Sequence, residues 1–98
     1  MRVSADKTDD GYRYFAMLKA NGKDVFVFLD GVEVKNCVTA DDERGFVIRY
    51  VPDEHGDVQI DPVDNNRIWE ERLTGVVEIK IRESKHENGP QATQQRKA

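Results

Sequence analysis

The amino-acid sequence predicts a mainly β fold, a small antiparallel sandwich or partly open barrel of about five to seven strands, with one short N-terminal helix allowed. Three features carry this reading. Two runs rich in β-branched and aromatic residues flank Asp30-Gly31, the preferred chemistry of a two-residue hairpin loop. Val77, Ile79 and Ile81 alternate with Glu78, Lys80 and Arg82, the period-two pattern of a half-buried strand. The connections between strand candidates are all short, and a parallel pair would need a longer crossover.

In chain order, residues 1–10 are polar and charged, with Thr8, Asp9 and Asp10 as candidate helix N-caps. Residues 12–20 carry two patterns. Ala16 to Ala20 are good helix formers stopped by Asn21-Gly22, whereas Tyr12, Tyr14, Ala16 and Leu18 alternate as in a strand. A short helix is the preferred reading. Asp24–Leu29 and Val32–Thr39 then form the hairpin, with Leu29 facing Val32, Phe28 facing Glu33, Val27 facing Val34 and Phe26 facing Lys35. One face holds Val25, Val27, Leu29, Val32 and Val34, and the other holds Phe26 and Phe28. After an acidic loop, Ala40–Gly45, a strand over Phe46–Val51 ends at Pro52. The turn 52–57 leads into Val58–Ile60, most simply as a hairpin. A polar loop (61–67), a strand over Ile68–Leu73, a Thr74-Gly75 turn and a final strand over Val76–Glu83 complete the sequence pattern.

Residues 1–83 are thus expected to form one β-rich domain, and 84–98 a disordered polar tail, since the latter carry no large apolar residue to offset the entropy of ordering. A domain of this size buries only about 60 to 65% of the surface its unfolded chain exposes, so it gains from any partner that covers apolar area. Homo-oligomerisation is therefore expected. The longest apolar run, Val25–Leu29, is far short of the roughly 20 residues that span a bilayer, and residues 1–10 have no apolar stretch of a signal peptide. A lone cysteine, Cys37, fits a reducing compartment, and cytoplasm is the expected location.

The formal net charge of −4 is uneven. From Asp41 to Glu71 ten acids face three arginines, whereas the tail carries Lys85, Arg96 and Lys97 against Glu87. An acidic middle repels phosphate, so no nucleic-acid partner is expected. Asp41, Asp42, Glu43, Asp53, Glu54 and Asp57 are instead the candidate acidic surface, suited to a basic protein.

No constellation rises to catalysis, and no enzyme activity, cofactor or metal is expected. His55 among Asp53, Glu54 and Asp57 reads as a solvated turn before it reads as a metal site. Cys37 reads as a small apolar strand residue before it reads as a nucleophile paired with His55 or His86. Arg44–Tyr50 falls one residue short of the RNA-recognition strand pattern. The two aromatics Phe26 and Phe28, opposite the main apolar stripe, must be covered by something. An intramolecular layer, residues 12–18 or another sheet layer, is favoured over a subunit or partner interface. Trp69, flanked by charges, is a similar case, so Phe26, Phe28 and Trp69 are the candidate interface residues.

The run Val25–Thr39 with its Leu29-Asp30-Gly31 centre, Cys37–Asp42, Gly45–Tyr50 and Glu71–Glu78 together resemble short uncharacterised proteins encoded by bacteriophages and prophages, over about residues 24–81. The resemblance implies a bacterial host cytoplasm, or a virion, and transfers no catalytic or binding residue. The expected function is a phage-associated structural or assembly protein that contacts itself or another structural protein. The alternative is a monomeric binding or regulatory module whose acidic surface meets a basic host or phage protein.

Overall fold

The computed structural model describes residues 1–84. It is mainly β: two antiparallel sheets and one helix, with no closed barrel. The elements are β1 (Arg2–Ser4), α1 (Tyr12–Ala20), β2 (Lys23–Leu29), β3 (Val32–Glu33), β4 (Cys37–Asp41), β5 (Phe46–Tyr50), β6 (Glu70–Thr74) and β7 (Val77–Glu83). One sheet has the order β1-β4-β5-β6 and the other β3-β2-β7. The tail expected over 84–98 lies, beyond Ser84, outside the described residues.

The helix reading of residues 12–20 is correct, and Gly22 at φ 72° follows its end. The N-cap is Gly11 without a side-chain cap, so none of Thr8, Asp9 and Asp10 fills that role. Asp9 turns instead to Arg2 and to the Gly11 N–H. Leu18 is buried, and Tyr14 and Phe15 pack on the core.

The Asp30-Gly31 turn forms as its sequence dictates, with both residues at positive φ (50° and 85°). Phe28 faces Glu33 and Leu29 faces Val32, the register read from the hairpin. The second arm is not one strand, however. It divides into β3 and β4, which lie in different sheets, and Asn36 at φ 60° marks the departure. Asparagine tolerates this left-handed conformation better than a β-branched residue, so the chain can turn there from one sheet to the other. Two further corrections concern the ends of this region. Residues 1–10 contain a strand, β1, and the expected loop 40–45 is shorter because Ala40 and Asp41 belong to β4.

The register explains the core. Val3, Ala40, Val47 and Leu73 face one another in a single row across the four-stranded sheet. The row packs against the β2–β7 pairs Val25↔Ile81, Val27↔Ile79 and Leu29↔Val77 and against Leu18 of the helix. Val32, expected on this face, is 70% exposed, because β3 ends at the next residue.

The β2–β7 and β5–β6 ladders run on to one corner, where Gly75-Val76 carries the chain from one sheet to the other. Asp30 donates its N–H to the Val76 carbonyl at 2.8 Å, and its carboxylate accepts from the Val76 N–H at 2.9 Å. The Gly75 N–H reaches the Gly45 carbonyl at 3.0 Å. A Cβ at Gly75 would lie 2.7 to 3.0 Å from the Asp30 carboxylate, closer than real Cβ contacts allow. Gly75→Ala is therefore expected to lower stability by about 1 to 3 kcal/mol through overpacking, measured by chemical denaturation. A variant as stable as the parent would show that this corner is not tightly packed.

Candidate functional site

The side of the four-stranded sheet opposite the core row carries a charged and aromatic cluster. Arg2, Asp41, Phe46 and Thr74 form one row there, and Ser4, Thr39, Ile48 and Arg72 form the next. Arg2 makes a two-pronged contact with Asp9 at 2.9 and 2.7 Å and reaches Asp41 at 3.1 Å. The buried ring of Phe46 lies 3.9 Å from the Arg72 guanidinium carbon and 5.2 Å from that of Arg2. Ser4 and Thr39 share a buried hydroxyl–hydroxyl hydrogen bond of 2.7 Å.

Asp41, expected on the acidic surface, is therefore buried, at 5% exposure. Burying a carboxylate requires hydrogen-bonding partners. The backbone N–H groups of Arg44 and Glu43 supply them together with Arg2. The Arg44 N–H and Arg2 hold the Asp41 carboxyl below the usual carboxylate range, and Arg2 does the same for Asp9. The other acids are divided. Asp42 and Glu43 contact the Met1 amino group beside the β4–β5 turn. Asp53, Glu54 and Asp57 lie at the opposite end of β5, where Asp53 accepts from the backbone N–H groups of His55 and Asp57. The structure thus supplies two small acidic turns in place of one acidic surface.

Phe26 and Phe28 are half-buried on the outer face of the three-stranded sheet. The helix does not cover them, because it packs on the other face with Val25, Val27 and Leu29. Cross-strand cations do so instead: Lys80 Nζ lies 5.0 Å from the Phe28 ring centre and the Arg82 guanidinium carbon 5.5 Å from that of Phe26.

Trp69 is half-buried in a different place, an arm of residues 51–69 between β5 and β6. The arm is held by its own backbone bonds, Trp69 N–H to the Gln59 carbonyl at 2.8 Å and Val51 N–H to the Trp69 carbonyl at 3.0 Å, and by the bridges Pro52↔Val58 and Ile60↔Ile68. None of its residues belongs to the core cluster, and it exposes Val58 by 52%, Ile60 by 55% and Val63 by 92%. Sequence reading named Trp69 but missed these three, although Val58 and Ile60 alternate along a segment flanked by turns.

Beside β2, where residues 34–38 diverge from it, opens a cleft of about 350 Å³ lined chiefly by apolar groups, among them Val3, Phe15, Val25, Val34 and Val38. Cys37 also lines it. Burial pushes the thiol up to about 11, which leaves it protonated and poorly nucleophilic near neutral pH. Among the described residues no group of three His, Cys, Asp or Glu side chains is placed to hold a metal ion, and no helix is long and apolar enough to cross a membrane.

The Arg2 cluster makes stability depend on pH. A carboxyl whose pKa is depressed by folding stabilises the protein above its unfolded value, and that contribution disappears as pH falls through the folded value. Arg2→Met is expected to cost about 2 kcal/mol near neutral pH. The difference in melting temperature from the parent should be constant down to about pH 5 and shrink as pH falls below about 4, the ordinary Asp value, and on through the depressed values of Asp9 and Asp41. Melting curves that stay equally far apart across that range would refute the coupling. Scans against protein-family models, curated proteins and solved structures gave no match to this chain.

Proposed function

We propose that the protein is a structural or assembly protein of the phage-associated kind its sequence resembles, acting by self-association through protein–protein contacts. The observation that carries this reading is the arm 51–69: Val58, Ile60 and Val63 expose apolar surface on a segment that adds nothing to the core. Surface of this sort is common where chains meet, with aliphatic groups at the centre and charge at the rim. Asp53, Glu54, Asp57, Asp61 and Asp64 lie on the same arm. Those acids also favour the second reading, a monomeric module whose arm docks on a basic protein.

The double variant Ile60→Asp/Val63→Asp is expected to leave the melting temperature nearly unchanged, because both side chains are more exposed than buried. It should lower the solution mass measured by size-exclusion chromatography with light scattering over a wide concentration range. A parent protein that is monomeric throughout would overturn self-assembly. A salt-sensitive complex with a basic partner would then support the second reading.

A further inference from the structure

The longest unpaired strand edge among the described residues belongs to β7, which pairs with β2 over seven residues without a bulge and has no strand on its other side. The direction of its backbone groups follows from the hydrogen bonds of β2. Val27 accepts from the Val34 N–H, so Val27 directs its N–H and carbonyl toward β3 and away from β7. Its neighbour across the ladder, Ile79, must then point its own N–H and carbonyl outward, as must Val77 and Ile81. The bonds Asp30 N–H to Val76 carbonyl and Ser84 N–H to Gly22 carbonyl show the same parity at both ends of the strand pair. No backbone partner meets the outward groups of Val77, Ile79 or Ile81 among the described residues.

We infer that β7 pairs antiparallel with β7 of a second copy about a two-fold axis at Ile79, joining two three-stranded sheets into one. This deepens the assembly reading and rests on it, naming the partner as a second copy and the contact as a strand edge. Charge complementarity selects the register. Hydrogen-bonded pairing of the outward residues allows only shifts that keep Val77, Ile79 and Ile81 opposite odd-numbered residues. With Ile79 facing its own copy, Val77 faces Ile81 on the core side, and Glu78 faces Lys80 twice on the outer side. Shifting one way places Lys80 opposite Lys80, and shifting the other way places Glu78 opposite Glu78. Like charges directly opposed across strands are unfavourable, and opposite charges there are favourable. The Ile79-centred register is the one among these in which no like charges meet.

An edge of this length normally carries protection: a proline, a bulge or a lysine that projects past the strand. Here β7 has neither proline nor bulge, and Lys80 and Arg82 lie over Phe28 and Phe26. The dimer would extend the apolar strip of Val77, Ile79 and Ile81 across the two-fold axis.

The test uses the full chain carrying Ile60→Asp/Val63→Asp, so that contacts through the arm are removed. In that background the protein should be a dimer by light scattering. Glu78→Lys and Lys80→Glu, each alone, should raise the dimer dissociation constant about tenfold or more, since each replaces two opposite-charge pairs by two like-charge pairs. Combining the two should restore dimerisation to within about threefold of the background. Circular dichroism and melting temperature serve as the control for folding, and Glu78 is exposed, so its replacement tests pairing even where Lys80→Glu weakens the cover over Phe28. If the parent assembles but the arm variant is a monomer, or if the dimer is indifferent to the charge exchanges, edge pairing is overturned and the assembly reading stands. If the parent itself is a monomer at every concentration, both fail.

Discussion

The geometry of the molecule depends on the corner where Asp30 meets Gly75 and Val76. The tip of the β2–β3 hairpin enters the turn at which the chain leaves the four-stranded sheet for the three-stranded one. Its carboxylate and its N–H bind the two backbone groups of Val76. Leu29 is thereby set opposite Val77, and the rest of the β2–β7 ladder follows two residues at a time. A slip of one residue would exchange the faces, sending Ile79 and Ile81 outward and the cations into the core. Gly75 is needed here for close approach, and Gly45 on the adjoining turn is needed for a φ of 71° and for the contact with the Gly75 carbonyl.

Much of the three-stranded sheet was legible in the sequence because its determinants are local. The Asp-Gly loop, the alternation of Val77 to Arg82 and the good helix formers before Asn21-Gly22 each act over a few residues. The four-stranded sheet was harder to read. β1 is three residues long, and its membership depends on Val3 reaching Ala40, which no periodicity in a run of three can reveal. The division between β3 and β4 was hidden by an uninterrupted strand-like run, although Asn36 offered a signal in its tolerance of positive φ. Asp41 looked like part of an acidic loop because its partner, Arg2, is 39 residues away. Charge counted along the chain does not distinguish a carboxylate that faces water from one that folding pairs.

The candidate site shows the same limit at the level of side chains. That Phe26 and Phe28 stand apart from the main apolar face follows from the hairpin register alone. What covers them does not, because Lys80 and Arg82 come from a strand 50 residues or so further along, and nothing local marks a lysine as a lid over a ring. The arm 51–69 was difficult for a related reason: Val58, Ile60 and Val63 resemble core residues in sequence, and only the packed structure shows that the core is complete without them.

Both sheets cover an aromatic side chain on the face away from the core by laying cations on it, Arg2 and Arg72 at Phe46, Lys80 and Arg82 at Phe28 and Phe26. A chain with so small a core has little apolar material for a second buried layer, and the stems of long cationic side chains supply some of that cover while their charged ends stay wet. The consequence differs between the sheets. In the four-stranded one, Asp9 and Asp41 neutralise Arg2, and the loop that carries Asp9 also covers the free edge of β1, through the Gly11 carbonyl and the Ser4 N–H at 3.3 Å. In the three-stranded one, no comparable loop follows β7 along its edge among the described residues, and the cations that would guard that edge are drawn inward over the phenylalanines. The same economy that covers the aromatic rings therefore leaves the outward backbone groups of β7 without a strand partner among the described residues.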